Sequence, residues 1–231
     1  MSMGLYRAGF DVVGVDIVYQ PRYPAFFHHL QFVQADALSY PLEGFDFIWA
    51  SPVCKRYSAL RFYGTNRHRP LETWPDQIAP MRARLEDSGA LWCMENVKGA
   101  PLLTKKFLCG QMFGLPLIRH RLMETNFDWE PPCHKCAKKG CTKRKEVFTI
   151  VGNGGGANAK SESNRRQEWR LADGRRALGI SWMVRAELSQ AVPPAYAEYV
   201  GRCALKLLRS DHLITRDHGD YARSSHAEVS A

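Results

Sequence analysis

Four short apolar runs in the first hundred residues each end in polar or reactive side chains, and no other feature of the sequence constrains the fold as much. Val12, Val13 and Val15 run into Asp16, and Phe32 and Val33 lead to Asp36. Phe45 to Trp49 lead to Ser51-Pro52-Val53-Cys54, and Ala90 to Met94 lead to Glu95-Asn96-Val97. Near-continuous apolar runs of this length suit strands buried on both faces of a parallel sheet. Helical segments are expected between them. Ile78, Met81 and Leu85 fall at i, i+3 and i+7, and Ser88-Gly89 then stops that helix. Right-handed crossovers of this kind build an α/β fold with a doubly wound, mostly parallel sheet. Ligands of such sheets bind beyond the carboxyl ends of the strands, so two acids, a cysteine and a glutamate should converge on one crevice.

From about Asn126 to Arg176 the character changes. Pro131-Pro132 is followed by Cys133, Cys136 and Cys141 among Lys135, Lys138, Lys139, Lys143, Arg144 and Lys145, and then by Gly152-Asn153-Gly154-Gly155-Gly156. Such a stretch reads as a small basic insertion. Lys143, Arg144 and Lys145 can anchor phosphates, and Gly154 and Gly155 allow close backbone approach to a nucleic acid. Apolar patterning resumes from Ala177 to Leu208, with Tyr199, Cys203 and Leu207 on the face of a final helix beginning near Ala195.

The formal net charge of +9 favours a polyanionic partner. Seven cysteines, an odd number, suit an intracellular chain of reduced thiols better than a disulfide framework. Neither a basic region leading into an apolar stretch nor a membrane-length apolar run is present, so a soluble, intracellular protein with no membrane partner is expected. Cys133, Cys136 and Cys141, with His134 or a remote His120, have partial zinc-ligand spacing, and a structural zinc is one reading of them.

The ordered set Gly14-Val15-Asp16, Ala35-Asp36-Ala37, Ser51-Pro52-Val53-Cys54, Glu95-Asn96-Val97, Arg119-His120-Arg121 and Gln190-Ala191-Val192-Pro193-Pro194-Ala195-Tyr196 resembles the motifs of C5-cytosine-specific DNA methyltransferases. It runs from about Met1 to Gly201, and the compact form is similar to small phage and bacterial members. The resemblance implies a Rossmann-like, class I S-adenosylmethionine-dependent methyltransferase fold. It divides the chain into a catalytic and cofactor-binding domain over 1–126, a target-recognition lobe over 127–176, a segment returning to the catalytic domain over 177–209, and a tail over 210–231 expected to be disordered.

The same resemblance assigns roles. Cys54 is the nucleophile, Glu95 acts at the base's N3 edge, and Arg119 and Arg121 hold the base or an adjacent phosphate. The cofactor S-adenosylmethionine is expected against Gly4, Asp16, Ile17, Asp36, Ala37, Pro52, Pro193 and Tyr196. Asn96, Lys55 and Ser58 are expected near the target base or the DNA. The implied partner is double-stranded DNA, bound by a monomer in the cytoplasm of a bacterial or phage-infected cell, with or without a cognate restriction endonuclease. The chemistry needs these residue types together. Cytosine C5 is a poor nucleophile until a thiolate adds to C6, and the charge then built on the ring must be met by a carboxyl and a guanidinium.

Three departures from the family pattern stand out. The family opens with a strand and a Gly-rich turn, Asp-x-Phe-x-Gly-x-Gly-Gly, and this sequence starts inside or just after that turn. A start codon set too late is the favoured explanation. Val53-Cys54-Lys55 stands where Pro-Cys-Gln is usual, so Val53 should loosen the nucleophile loop. Lys55 should lower the thiol pKa or contact phosphate, or meet a carboxylate on a modified cofactor. The recognition region is also short. An RNA cytosine-C5 methyltransferase and a non-catalytic nucleic-acid-binding homologue are the competing readings.

Overall fold

A computed structural model describes residues 1–25, 27–62, 66–133, 150, 170–215 and 226–227. The chain opens with α1 (Ser2–Ala8) and β1 (Asp11–Asp16), followed by β2 (Leu30–Gln34) and β3 (Phe47–Ala50). Next come α2 (Ile78–Asp87), β4 (Leu91–Asn96), β5 (Lys106–Leu108) and β6 (Arg121–Thr125). The described elements close with α3 (Leu171–Leu178), α4 (Arg185–Gln190), α5 (Pro194–Thr215) and β7 (His226–Ala227). The strands form one sheet in the order β2-β1-β7-β3-β4-β6-β5. β1 runs parallel to β2 and β7, and β3 parallel to β4 and β7, while β6 is antiparallel to both β4 and β5.

Strand residues alternate between two covered faces, as the apolar runs require. Phe47, Trp49 and Cys93 pack with Leu5, Phe10, Tyr196 and Val200 on the face covered by α1 and α5. Ile48, Ala50, Trp92 and Met94 pack with Ile78, Met81 and Leu85 of α2 on the other. This period-2 division follows from the pleat, which sends successive side chains to opposite sides. A smaller cluster under α3 and α4 holds Leu117, Ile150, Leu178 and Leu188.

Helix ends follow local chemistry. Gly9 takes a left-handed φ of 112° and its N–H bonds the carbonyls of Leu5 and Tyr6, closing α1. At the start of α2 the Asp76 carboxylate accepts the Ile78 N–H at 3.2 Å.

Two expectations need correcting. α2 carries the helical crossover from β3 to β4, but turns, not helices, connect β1 to β2 and β2 to β3 among the described residues. Pro21, Pro24 and Pro41 interrupt those segments, and proline removes the N–H a helix needs. The final helix was expected to give way to a tail over 210–231, yet α5 continues through Thr215, and His226–Ala227 pairs between β1 and β3. No described helix is long and apolar enough to cross a membrane.

Candidate active site

The tips of β3 and β4 bring the nucleophile loop and the glutamate together. Asn96, 1% exposed, reaches back from the end of β4: its Nδ2 donates to the Pro52 carbonyl at 2.8 Å, and its Oδ1 accepts the Val97 N–H at 2.9 Å. The loop then turns on Cys54, whose carbonyl accepts the N–H groups of Tyr57 and Ser58 at 3.1 and 2.9 Å. Ser58 thus stays next to Cys54.

Gln77, which sequence reading missed, holds the other side of this loop. Its Oε1 accepts the Val53 N–H at 3.0 Å. A proline at position 53 would have no N–H to offer, so the expected loosening at Val53 is met by a side chain 24 residues downstream. The signal was half present in the sequence: a freed backbone donor near a buried loop demands an acceptor, but its partner is set by the tertiary fold.

Glu95 is 5% exposed and paired with Arg121, Nε to Oε1 at 2.8 Å. Antiparallel pairing of β4 with β6 places Asn96 opposite Leu122, which sets Arg121 beside the end of β4. Cys54, Glu95, Arg121 and Arg119 lie close enough to act on one another electrostatically. Burial pushes the half-buried Cys54 thiol above its ordinary range, and the charge of Glu95 adds to this, while Arg121 and then Arg119 pull it down. Lys55 was expected to depress the thiol. It is exposed, the cations acting on Cys54 are the two arginines, and the net shift is upward.

Arg119 has a different environment from Arg121. Its guanidinium donates to the Ile150 carbonyl at 2.6 Å and to the Ser189 carbonyl at 3.0 Å. Its backbone carbonyl accepts the Tyr196 hydroxyl at 2.5 Å. Burial, reinforced by Arg121, lowers its pKa to about 9. Its two bonded nitrogens are spent on backbone carbonyls, so the guanidinium ties Ser189 of α4 to Ile150.

The other crevice lies at the tips of β1 and β2. Asp16 pairs with Gln34 in register, and its carbonyl accepts the Ala35 N–H at 3.1 Å, so Asp16 and Asp36 sit on adjacent strand ends. The Asp16 carboxylate accepts the Val18 N–H at 2.8 Å and Gln20 Nε2 at 2.9 Å. A carboxylate has about four lone-pair sites, so capacity for ligand hydroxyls remains. Ile17, Val18 and Tyr19 beside it are 64%, 61% and 62% exposed, an apolar shelf next to an acid. Asp36 accepts the Leu38 N–H at 2.9 Å and so also closes its own turn, over the buried Ala37. Acid plus apolar shelf fits a nucleoside: hydroxyls for the carboxylate, a ring for the shelf.

Three residues expected at the cofactor are packed in the interior. Gly4 is buried between α1 and α5, where a Cβ would collide with the Pro194 carbonyl and stand 2.9 Å from Ala197 Cβ. It serves helix packing, because only a hydrogen allows the backbones so close. Tyr196 is fully buried against Phe113, with its hydroxyl on Arg119. Pro193 is buried as well, one turn ahead of Tyr196, whose N–H bonds its carbonyl. Both support the site from behind. Pro52, also buried, is held by Asn96.

Cys133 is exposed, and no group of metal-ligating side chains occurs among the described residues. Cys136, Cys141, Lys143, Arg144, Lys145, Gly154 and Gly155 lie outside the described residues.

The sheet order and the two covered faces define a Rossmann-like, mostly parallel α/β fold. No family model matches the sequence, and no curated protein does. Among solved structures, the S. pombe Dnmt2 methyltransferase is similar at a TM-score of 0.54 and 14% identity, over 89% of this chain and 95% of that one. At that identity the likeness speaks for the fold, and it does not single out the compact phage or bacterial type.

Proposed function

We propose that the protein is a cytosine-C5 methyltransferase that uses S-adenosylmethionine and acts on a cytosine extruded from double-stranded DNA. The observation that carries this reading is the meeting of Cys54, Glu95 and Arg121 at the ends of neighbouring strands. A similar fold in a methyltransferase supports the reaction class, and a net charge of +9 supports a nucleic-acid substrate.

Asp16, Asp36 and the shelf begun by Ile17 would hold the cofactor's nucleoside, and the bound cofactor supplies an electrophilic methyl group. On the substrate side, Cys54 loses its proton to solvent and Sγ bonds to C6 of the cytosine, shifting the C5–C6 electron pair towards C5. Glu95, turned from Arg121 to the base, places a proton at N3 and so neutralises the charge that addition creates. Arg121, released from that pair, donates to the base's O2 edge. Once C5 is methylated, a water takes the C5 proton, the freed electron pair re-forms the C5–C6 double bond and expels Cys54 as thiolate, and the N3 proton returns to Glu95. The buried Asn96–Pro52 and Gln77–Val53 hydrogen bonds keep Sγ aimed throughout. The target must leave the stack first, since Cys54 cannot reach C6 inside a duplex.

Transfer of labelled methyl from S-adenosylmethionine to cytosine-containing DNA tests the reading. Wild-type protein transfers label and Cys54→Ser does not. Equal labelling by both proteins, or label recovered on a base other than cytosine, overturns it. The same assay with transfer RNA as competitor decides between DNA and RNA.

A further inference from the structure

A groove of about 630 Å³ opens beside the candidate active site, between the turn that follows Cys54 and the loop that follows Asn96. Cys54, Glu95 and Arg121 do not line it, so it is a neighbouring space and not the one that would hold the target base. Its walls carry Arg56, Arg61 and Lys98, and among the described residues no carboxylate lines it. Phe62 stands at its side 60% exposed, with the Arg61 guanidinium 4.4 Å from the ring centroid.

The two arginines are held in place. Arg56 donates to the Leu71 and Trp74 carbonyls at 3.3 and 3.0 Å, and Arg61 donates to the Arg56 carbonyl at 2.9 Å. Their acceptors here are neutral carbonyls, and the nearest acid, Asp76, acts on Tyr57 behind Arg56, so Arg61 and Lys98 supply most of the groove's positive charge. The two loops touch at Gly99, where a Cβ would stand 2.5 Å from the Tyr57 carbonyl oxygen. That approach ties the groove to the turn carrying Cys54.

A large ring left in water is unfavourable, and a cationic wall attracts phosphate. An aromatic face beside fixed cations is what proteins offer to single-stranded nucleic acid, where bases stack with little regard to sequence. The volume lies within the range of small-ligand sites. Resting on the reading that the target base leaves its strand, we propose that this groove is a subsite for the nucleotide adjacent to the target. The base of that nucleotide lies on Phe62, and its phosphate lies against Lys98 and Arg56. The subsite would hold the strand open next to an extruded cytosine.

A thermodynamic cycle tests this in the full chain carrying Cys54→Ser, so that binding is not complicated by a covalent adduct. The ligands are short single-stranded DNA oligonucleotides with one cytosine, flanked on each side in turn by 2-aminopurine or by an abasic residue. On one of the two sides, the abasic flank binds about tenfold more weakly than the 2-aminopurine flank. Phe62→Leu weakens the 2-aminopurine ligand by the same factor and leaves the abasic one unchanged. Lys98→Gln weakens both and lowers the slope of log Kd against log salt by about 1. Phe62 is mostly exposed, so its substitution leaves the core intact.

The proposal is overturned if Phe62→Leu affects both ligands equally or neither, or if no oligonucleotide binds. Methyl transfer by the Cys54-containing chain to the same oligonucleotides separates the two ideas. An intact cycle with no transfer removes the enzymatic reading and keeps the subsite. Transfer with no cycle does the reverse.

Discussion

At the scale of single residues, the state of the Cys54 thiol is decided by three neighbours. Burial and Glu95 hold the proton on sulfur, and Arg121 and Arg119 work to remove it. The signs lead to a measurable order. With Glu95→Gln one cause of the upward shift is gone and Arg121 loses its partner, so the thiolate forms at lower pH. With Arg121→Gln the opposing cation is gone, so the thiolate forms at higher pH. Iodoacetamide labelling of the Cys54 peptide, followed by mass spectrometry across pH 6 to 10 (roughly the span in which a thiol titrates), should rank Glu95→Gln fastest, wild type next and Arg121→Gln slowest at each pH. Equal labelling rates in the three proteins would mean that the three groups do not share a site.

Gln77 is the residue that sequence alone did not reveal. The expected effect of Val53 in place of proline was a loose nucleophile loop, and the structure supplies a hydrogen bond in its place. Gln77→Ala leaves the Val53 N–H without its acceptor, a loss of about 1 kcal/mol. If that loss falls mainly on the aim of Sγ, kcat drops about fivefold to tenfold with KM little changed. Steady-state kinetics of Gln77→Ala and Gln77→Glu check this: Glu keeps an acceptor oxygen and should retain more activity than Ala. Equal kcat for wild type and Gln77→Ala would remove Gln77 from the machinery.

At the scale of elements, the strand tips were the legible part. Apolar runs ending in Asp16, Cys54 and Glu95 are strands whose ends carry those side chains, because a buried parallel strand leaves polar groups to its ends, and ligands of such sheets bind at the carboxyl ends. The connecting helices were less legible. The i, i+3, i+7 spacing of Ile78, Met81 and Leu85 marks α2, but the stretches after Asp16 and Asp36 fold as turns, since prolines there break any helical pattern. Gly4 shows a different limit. Its position near the expected cofactor turn suggested ligand contact, whereas the close approach of α5 to α1 decides its role, and that approach involves residues nearly two hundred positions away. Gly4→Ala should therefore destabilise the fold by about 1–3 kcal/mol through overpacking. Its effect on S-adenosylmethionine affinity at temperatures where the variant stays folded should be small. Chemical denaturation together with calorimetric titration separates the two, and a stable variant with lost affinity would restore Gly4 to the cofactor site.

At the scale of the whole molecule, α1 and α5 cover one face of the sheet and α2 the other, and Asp16, Cys54 and Glu95 stand at the carboxyl ends of the strands between them. The acids and apolar shelf at β1 and β2 lie on one side of the topology, and the thiol, carboxylate and guanidinium at β3, β4 and β6 on the other. The proposed group transfer would use these two sides for donor and acceptor, with Cys54 on the acceptor's side. The charge of +9 was readable from composition, but which cations face the crevice was not, because Arg119 is spent on backbone carbonyls while Arg121 meets Glu95.

The central claim, that Cys54 and Glu95 act on one extruded cytosine, is tested most directly by incubating the protein and S-adenosylmethionine with DNA containing 5-fluorocytosine. Fluorine at C5 cannot depart as a proton does, so the sulfur–C6 bond persists. The account predicts a denaturation-resistant protein–DNA complex whose cross-linked peptide contains Cys54, absent in Cys54→Ser and strongly reduced in Glu95→Gln. A complex mapped to another cysteine, or an undiminished complex in Cys54→Ser, would contradict it.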